Sequence, residues 1–209
     1  KTVPPGAKFL TAFVDVQGDR FEVRVIGWGL DKQSWLIDAY ALKQWPRIGE
    51  RGAFENIDPG NKLSDWDLIE EAVLKHVYPL AENDFRLANG MEPLFLPIAR
   101  TMIDAVGVPG VTANARAWLS RLMGQGKIAP YRVALVHGAS SKKAPLYGKP
   151  VQVEIDDAGR GRSVKVYERY PNVHEIKRII ARRMRVEEPG PGRMHYPNQT
   201  YEGGGMTPR

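Results

Sequence analysis

Two aspartates in this chain each stand where an apolar run stops. Asp15 closes the run Phe9 to Val14, and Asp104 closes the mostly apolar stretch that begins near Pro93. A carboxylate inside an apolar strand is costly without a partner, and a divalent cation is one of the few partners that hold it charged. Two such carboxylates side by side repel, and cations relieve the repulsion. In phosphodiester hydrolysis the same cations, a pair roughly 4 Å apart, activate a water and stabilise the leaving oxygen. Taken singly, each Asp reads as a strand end that caps the next loop, with a metal ligand as the alternative. The chain has no cysteine, so any metal must be held by oxygen or imidazole. His174, Glu175 and His137 are the remaining residues of interest for chemistry, although His137 alone reads as an ordinary strand-end histidine. Asp67, Glu70 and Glu71 read as the solvated face of a helix.

The elements that must position these groups follow from the hydrophobic pattern. Phe9 to Asp15, a turn at Gln17-Gly18-Asp19, the alternating return Phe21 to Ile26 and a third run Ser34 to Tyr40 predict an antiparallel meander with the first strand inside the sheet. Lys43 to Leu63, rich in Gly and Pro, reads as a surface excursion. Ser64 to Tyr78 predicts a helix capped by Ser64, with Trp66, Ile69, Val73 and Val77 inward. Pro93 to Asp104 then reads as a buried strand reached by a parallel crossover. A helix over 112–123 follows, with Ala113, Ala117, Leu119 and Leu122 inward and Arg116 and Arg121 outward. A short strand, Tyr131 to Val136, ends at His137-Gly138. Val151 to Asp156 and Ser163 to Tyr167 read as a strand pair. Val173 to Arg185 is an amphipathic basic helix with Ile176, Ile179, Ile180 and Met184 on one face and Lys177, Arg178, Arg182 and Arg183 on the other.

With 209 residues, 43% of them hydrophobic, the chain can bury the core of one domain. No run of about eighteen apolar residues occurs, so no membrane partner is expected. The net charge of +6 is unevenly spread: residues 1–100 carry 12 Lys+Arg against 15 Asp+Glu, and residues 101–209 carry 18 against 9. A polyanion such as duplex DNA suits the basic half, with Lys142, Lys143, Lys177, Arg178 and Arg182 as the contacts expected of it. The phosphate loop G-x-x-x-x-G-K-[ST] is absent, which excludes an ATPase of that type from this chain.

Val3-Pro4-Pro5-Gly6, Leu10-Thr11-Ala12-Phe13-Val14-Asp15-Val16-Gln17, Gly27-Trp28-Gly29 and Ser34-Trp35-Leu36-Ile37-Asp38 stand in one continuous opening. This opening resembles the C-terminal nuclease domain of the lambda-type large terminase subunit of tailed bacteriophages. The order of elements is also that of an α/β, ribonuclease H-like mixed sheet, a three-stranded antiparallel meander plus parallel strands flanked by helices, in which the first and fourth strands lie side by side. The resemblance implies a metal-dependent endodeoxyribonuclease that cuts concatemeric duplex DNA during genome packaging in the host cytoplasm. It implies Mg²⁺ or Mn²⁺ in a two-metal site, with Asp15, Asp104 and His174 as catalytic and metal-binding residues. It also implies three partners: an upstream ATPase domain, a small terminase subunit and a portal. Residues 1–8 would be the linker from that ATPase domain, 9–197 the nuclease domain and 198–209 a flexible tail.

Three positions bear on this reading. His174 stands where the family pattern places an acid, with Lys177 as its matching lysine, so either His174 ligates, or Glu175 takes its place, or the site is weak. His137-Gly138 stands where the family tends to have Lys-Gly. His195 matches a His-aromatic-Pro segment and reads as structural. The alternatives are another ribonuclease H-like DNA enzyme (a transposase, integrase or resolvase) or a catalytically weakened DNA-binding module.

Overall fold

The structure is a computed structural model that describes residues 1–46, 53–156, 163–188 and 190–196. Its opening is the expected meander. β1 (Phe9–Val16) and β2 (Phe21–Trp28) pair antiparallel from Phe9 opposite Trp28 to Val16 opposite Phe21, and the Gln17 amide closes the turn on the Arg20 carbonyl at 2.9 Å. β3 (Ser34–Leu42) pairs antiparallel with β2. Side chains alternate across a strand, so Leu10, Ala12, Val14 and Val16 are all buried, while Phe9, Thr11, Phe13 and Asp15 share the opposite face.

The excursion after β3 is more ordered than its composition suggests. β4 (Gln44–Pro46) and β5 (Phe54–Asn56) pair antiparallel as a separate two-stranded sheet, and Ile57 beyond them is buried. The single helix expected from Ser64 to Tyr78 is instead a 3-10 turn over Leu63–Trp66, a short α segment α1 (Asp67–Ile69) and a π turn over Glu70–Leu74. No side chain caps it, so Ser64 is not the cap. Val77 and Tyr78 belong to β6 (Val77–Pro79), antiparallel to the start of β7 (Phe95–Asp104). Val77 is 45% exposed, and Tyr78 is the residue that turns inward. A short helix, α2 (Asn83–Ala88), joins β6 to β7.

β7 pairs parallel with β1, and β8 (Val133–Val136) pairs parallel with β7, after the crossover helix α3 (Val111–Gly124). Gly110 starts α3 at φ 84°, and a Cβ there would lie 2.1 Å from the Gly60 carbonyl oxygen, so no side chain fits. The inward residues of α3 are Val111, Ala115, Trp118, Leu119 and Leu122. Ala113 is exposed, which shifts the buried stripe from the one expected by a fraction of a turn. Trp118 packs at 5.9 Å on Trp66, which meets Phe21 edge-on at 5.3 Å, and these rings form the centre of the core.

β9 (Pro150–Asp156) and β10 (Ser163–Arg169) pair antiparallel, and the end of β10 runs parallel to β8. β11 (Met194–His195) joins parallel to β3. The main sheet therefore reads β11-β3-β2-β1-β7-β8-β10-β9, with β6 attached to β7. This is the mixed antiparallel and parallel sheet, flanked by helices, of a ribonuclease H-like fold. α4 (Val173–Arg183) follows β10 and has no fully buried residue, with Ile180 40% and Met184 61% exposed. Arg183, expected on its wet face, anchors it: Nε donates to the Gly192 carbonyl at 2.8 Å, Nη2 donates to Ser34 Oγ at 3.1 Å, and the guanidinium lies 5.7 Å from the Trp28 ring centroid.

The first residues are held rather than free. Val3 is fully buried, its amide donating to the Pro79 carbonyl and its carbonyl accepting from Ala81. The tail expected at 198–209 lies outside the described residues.

Candidate active site

β1, β7, β8 and β10 run in one direction as neighbours, so their C-terminal ends lie along one edge of the sheet. At that edge Asp15 and Asp104 are register partners across β1 and β7. Register partners on adjacent strands point to the same face, so the two carboxylates that the sequence places 89 positions apart become neighbours. Ligands of open sheets with parallel strands gather at this end, because the loops that leave the strands leave space there.

The two carboxylates are held differently. Asp15 is half-buried and accepts from Gln17 Nε2 at 2.8 Å. Asp104 Oδ1 is buried with no hydrogen-bond partner. Burial pushes the Asp104 carboxyl above its usual range, and the negative charge of Asp15 adds to this, against the Val106 amide and the nearby His137. A buried acceptor without a donor beside a second carboxylate is the environment a cation would relieve, so these two residues fit a divalent metal.

The residues expected as a third ligand lie on α4. His174 is exposed in the first turn of α4 and lines a cleft of about 310 Å³ with Lys142, Glu175 and Arg178. Glu175 is half-buried, and its carboxylate accepts from Arg178 at 3.3 Å and Arg182 at 3.4 Å. Among the described residues no three His, Cys, Asp or Glu side chains gather closely enough to hold a metal ion. The fold thus brings Asp15 and Asp104 together and leaves His174 and Glu175 outside that pair.

The acids of the Leu63–Leu74 segment are occupied elsewhere. Asp67 pairs with Arg121, Glu71 with Lys75, and Glu70 with Lys127 at 3.1 Å and Lys75 at 3.2 Å. Glu70 is buried rather than solvated, because the π turn rotates it beneath the two lysines. His195 stacks on Trp35 at 4.8 Å with planes 9° apart, a structural contact between β11 and β3.

Lys142, Lys143, Lys177, Arg178 and Arg182 are all exposed. A second cleft, about 330 Å³, is lined by Arg178, Ala181, Arg182 and Arg185, so Arg178 stands between two basic hollows on α4.

One residue of this region is absent from the candidates named from the sequence. Glu168 on β10 is fully buried and takes both prongs of Arg116, Nε to Oε1 at 2.6 Å and Nη2 to Oε2 at 3.0 Å. Arg116 was expected to face outward on α3. The signal was present in the alternation of β10, where Glu168 shares the inward parity of Val166.

No solved structure matches the chain. It is 26% identical over 197 residues to a protein named terminase, large subunit, from Escherichia phage lambda, covering 94% of this chain and 25% of that protein. It is 28% identical over 149 residues to the protein of the same name from Enterobacteria phage P21, covering 71% of this chain and 17% of that one. The chain thus spans a quarter or less of the length of these relatives. The model of the endonuclease domain of the terminase large subunit gpA matches residues 1–203, and the chain belongs to that family.

Proposed function

We propose that this chain is the DNA-cutting domain of a viral large terminase subunit, a metal-dependent endonuclease that hydrolyses phosphodiester bonds of concatemeric duplex DNA during genome packaging. The observation that carries the reading is the Asp15–Asp104 pair in register on adjacent parallel strands, with Asp104 Oδ1 buried and unpartnered. Divalent cations, Mg²⁺ or Mn²⁺ in a two-metal arrangement, would supply water activation and stabilisation of the leaving 3′-oxygen. Asp15 and Asp104 would hold them, and Gln17, which donates to Asp15, orients that carboxylate. The exposed cations of α4 and of the 142–143 loop bind the phosphate backbone without reading bases. His174 or Glu175 would be the third ligand. The partners are duplex DNA and, in the longer protein, an upstream ATPase domain, a small terminase subunit and a portal, in the host cytoplasm. Among the described residues no helix is long and apolar enough to cross a membrane.

Nicking of supercoiled plasmid tests the reading. Asp15→Asn abolishes nicking while the fold is retained, and a chelator abolishes it in the wild type. Unfolding of Asp15→Asn with no separable loss of activity returns Asp15 to a structural role. For the third ligand, His174→Ala lowers nicking in both metals. His174→Asp narrows any advantage of Mn²⁺ over Mg²⁺, because a carboxylate oxygen suits Mg²⁺ better than an imidazole does.

The absence of a three-residue metal cluster among the described residues favours one second reading, a DNA-binding module with a weakened site. Salt-sensitive DNA binding with no cleavage in either metal is its signature.

A further inference from the structure

Glu168 is a fully buried carboxylate that the two-aspartate site does not use. A buried ion pair is weak support for stability, since well-packed apolar side chains often serve as well, so this one calls for another explanation. Around it stand Arg116, bonded to both oxygens, the Tyr170 hydroxyl donating to Oε2 at 3.0 Å, and His137 Nε2 at 3.4 Å from Oε2. Burial pushes the Glu168 carboxyl up, but the bonds from Arg116 and Tyr170 and the charge of His137 outweigh it and hold the group below its usual range. Glu168 is therefore ionised at neutral pH.

His137 is held on three sides. Its main-chain amide donates to the Arg169 carbonyl at 2.9 Å, its ring stacks on Tyr170 at 5.1 Å with planes 17° apart, and Glu168 stands against its edge. The side chain is only 11% exposed, and Nε2 has no hydrogen-bond partner. An unsatisfied buried nitrogen is uncommon and marks a group whose partner arrives later or whose geometry tightens on binding. His137 also directly follows Val136, the register partner of Asp104, so it lies at the same strand-end edge as the aspartate pair. Gly138, next in the chain, touches the start of α4, where a Cβ would come 2.9 Å from Val173 Cγ2.

We propose that Glu168 is a positioning residue for His137, and that His137 so held contacts a phosphate oxygen of DNA lying at the Asp15–Asp104 edge. This rests on the nuclease reading above. The ionised carboxylate 3.4 Å from Nε2 and the stacked Tyr170 ring fix the orientation of the imidazole at the strand-end edge, from which a ring N–H donates to the phosphate oxygen. Tyr170 and Arg116 serve the same purpose at one remove, the first by stacking on the ring and bonding Glu168, the second by fixing both oxygens of Glu168.

The test is a double-mutant cycle on DNA affinity and on single-turnover plasmid nicking at saturating DNA in Mn²⁺, with His137→Ala, Glu168→Gln and the double variant. Removing one charge-assisted hydrogen bond predicts a combined loss in DNA affinity and nicking rate of about 10- to 100-fold for His137→Ala. Glu168→Gln shows a similar fall, and the double variant is no worse than His137→Ala, because Glu168 acts through His137. Losses that multiply, or that follow the thermal midpoint, overturn the proposal. Should Glu168→Gln not fold, Tyr170→Phe replaces it in the cycle, keeping the stacked ring and removing the bond to Glu168. A second readout is independent of cleavage: the ring nitrogen resonances of His137 in the wild type, with and without a short duplex in Ca²⁺. A shift confined to duplex addition supports the contact, and unchanged resonances at saturation overturn it. Absence of nicking by the wild type counts against the nuclease reading, while the resonance shift still decides the role of His137.

Discussion

At the scale of single residues, Asp104 is where stability and function pull apart. Its carboxyl is raised by burial and by Asp15, so the folded state binds a proton there more readily than the unfolded chain does. The stability it contributes is fully present below the usual carboxylate range and is lost as pH rises through its raised folded-state value. At neutral pH its ionisation therefore works against folding, and Asp104→Asn raises the thermal midpoint at pH 7. The gain disappears near pH 3, where the wild-type group is also neutral; a series of melting curves against pH checks this. Metal binding should reverse the order. Saturating Mn²⁺ raises the stability of the wild type, by about 2.7 kcal/mol at a hundredfold excess over the dissociation constant. It leaves Asp15→Asn and Asp104→Asn nearly unmoved in the same calorimetric scan.

At the scale of elements, α4 is held by its ends and not by its middle. Asn172 caps it, accepting from the Glu175 amide at 3.1 Å, and the same buried side chain donates to the carbonyls of Lys142 at 2.9 Å and Ala144 at 2.8 Å. One residue thus ties the basic loop to the basic helix. Asn172→Ala removes a cap worth about 1 kcal/mol and leaves two carbonyls to find other partners, so a total loss of about 2–3 kcal/mol in denaturant unfolding is expected. DNA affinity falls in the same variant, since the loop bearing Lys142 and Lys143 is released. The outer face of α4 has a separate effect: replacing Arg178 and Arg182 with Gln flattens the plot of log affinity against log salt by about 2, one for each phosphate that is no longer neutralised. An unchanged slope would place the DNA on another surface.

At the scale of the whole molecule, one continuous core of β1, β7, β8 and α3 fixes the edge on which the aspartates meet. Trp118, fully buried against Trp66, belongs to that core. Trp118→Ala costs about 3–5 kcal/mol and lowers nicking only in proportion to the unfolded fraction, as urea unfolding paired with activity at two temperatures checks. The charge asymmetry of the chain has a spatial counterpart. The acidic first half supplies both aspartates' strands except for the end of β7, and the basic second half supplies the loop and helix that follow β8 and β10 at the same edge.

The sequence alone determined the strands and their faces, because a period of two reports burial directly: β1, β2, β3, β7 and the β9–β10 pair all lie within a few residues of where alternation puts them. It determined Asp15 and Asp104 as the unusual acids, because an acid at the end of an apolar run is visible without coordinates. It also determined the family, through the motifs from Val3 to Asp38. Only the tertiary structure decided what depends on partners distant in sequence. The helical spacing of Trp66, Ile69 and Val73 gave no sign that the segment would break, since it was the pairing of β6 with β7 that drew Val77 and Tyr78 into a strand. Arg116 looked like a surface residue until β10 brought Glu168 beneath it, and Arg183 until β2 and β3 offered Trp28 and Ser34. Long, polar-tipped side chains satisfy themselves wherever a partner comes within reach, so their direction is set by the approach of other elements and not by their own periodicity.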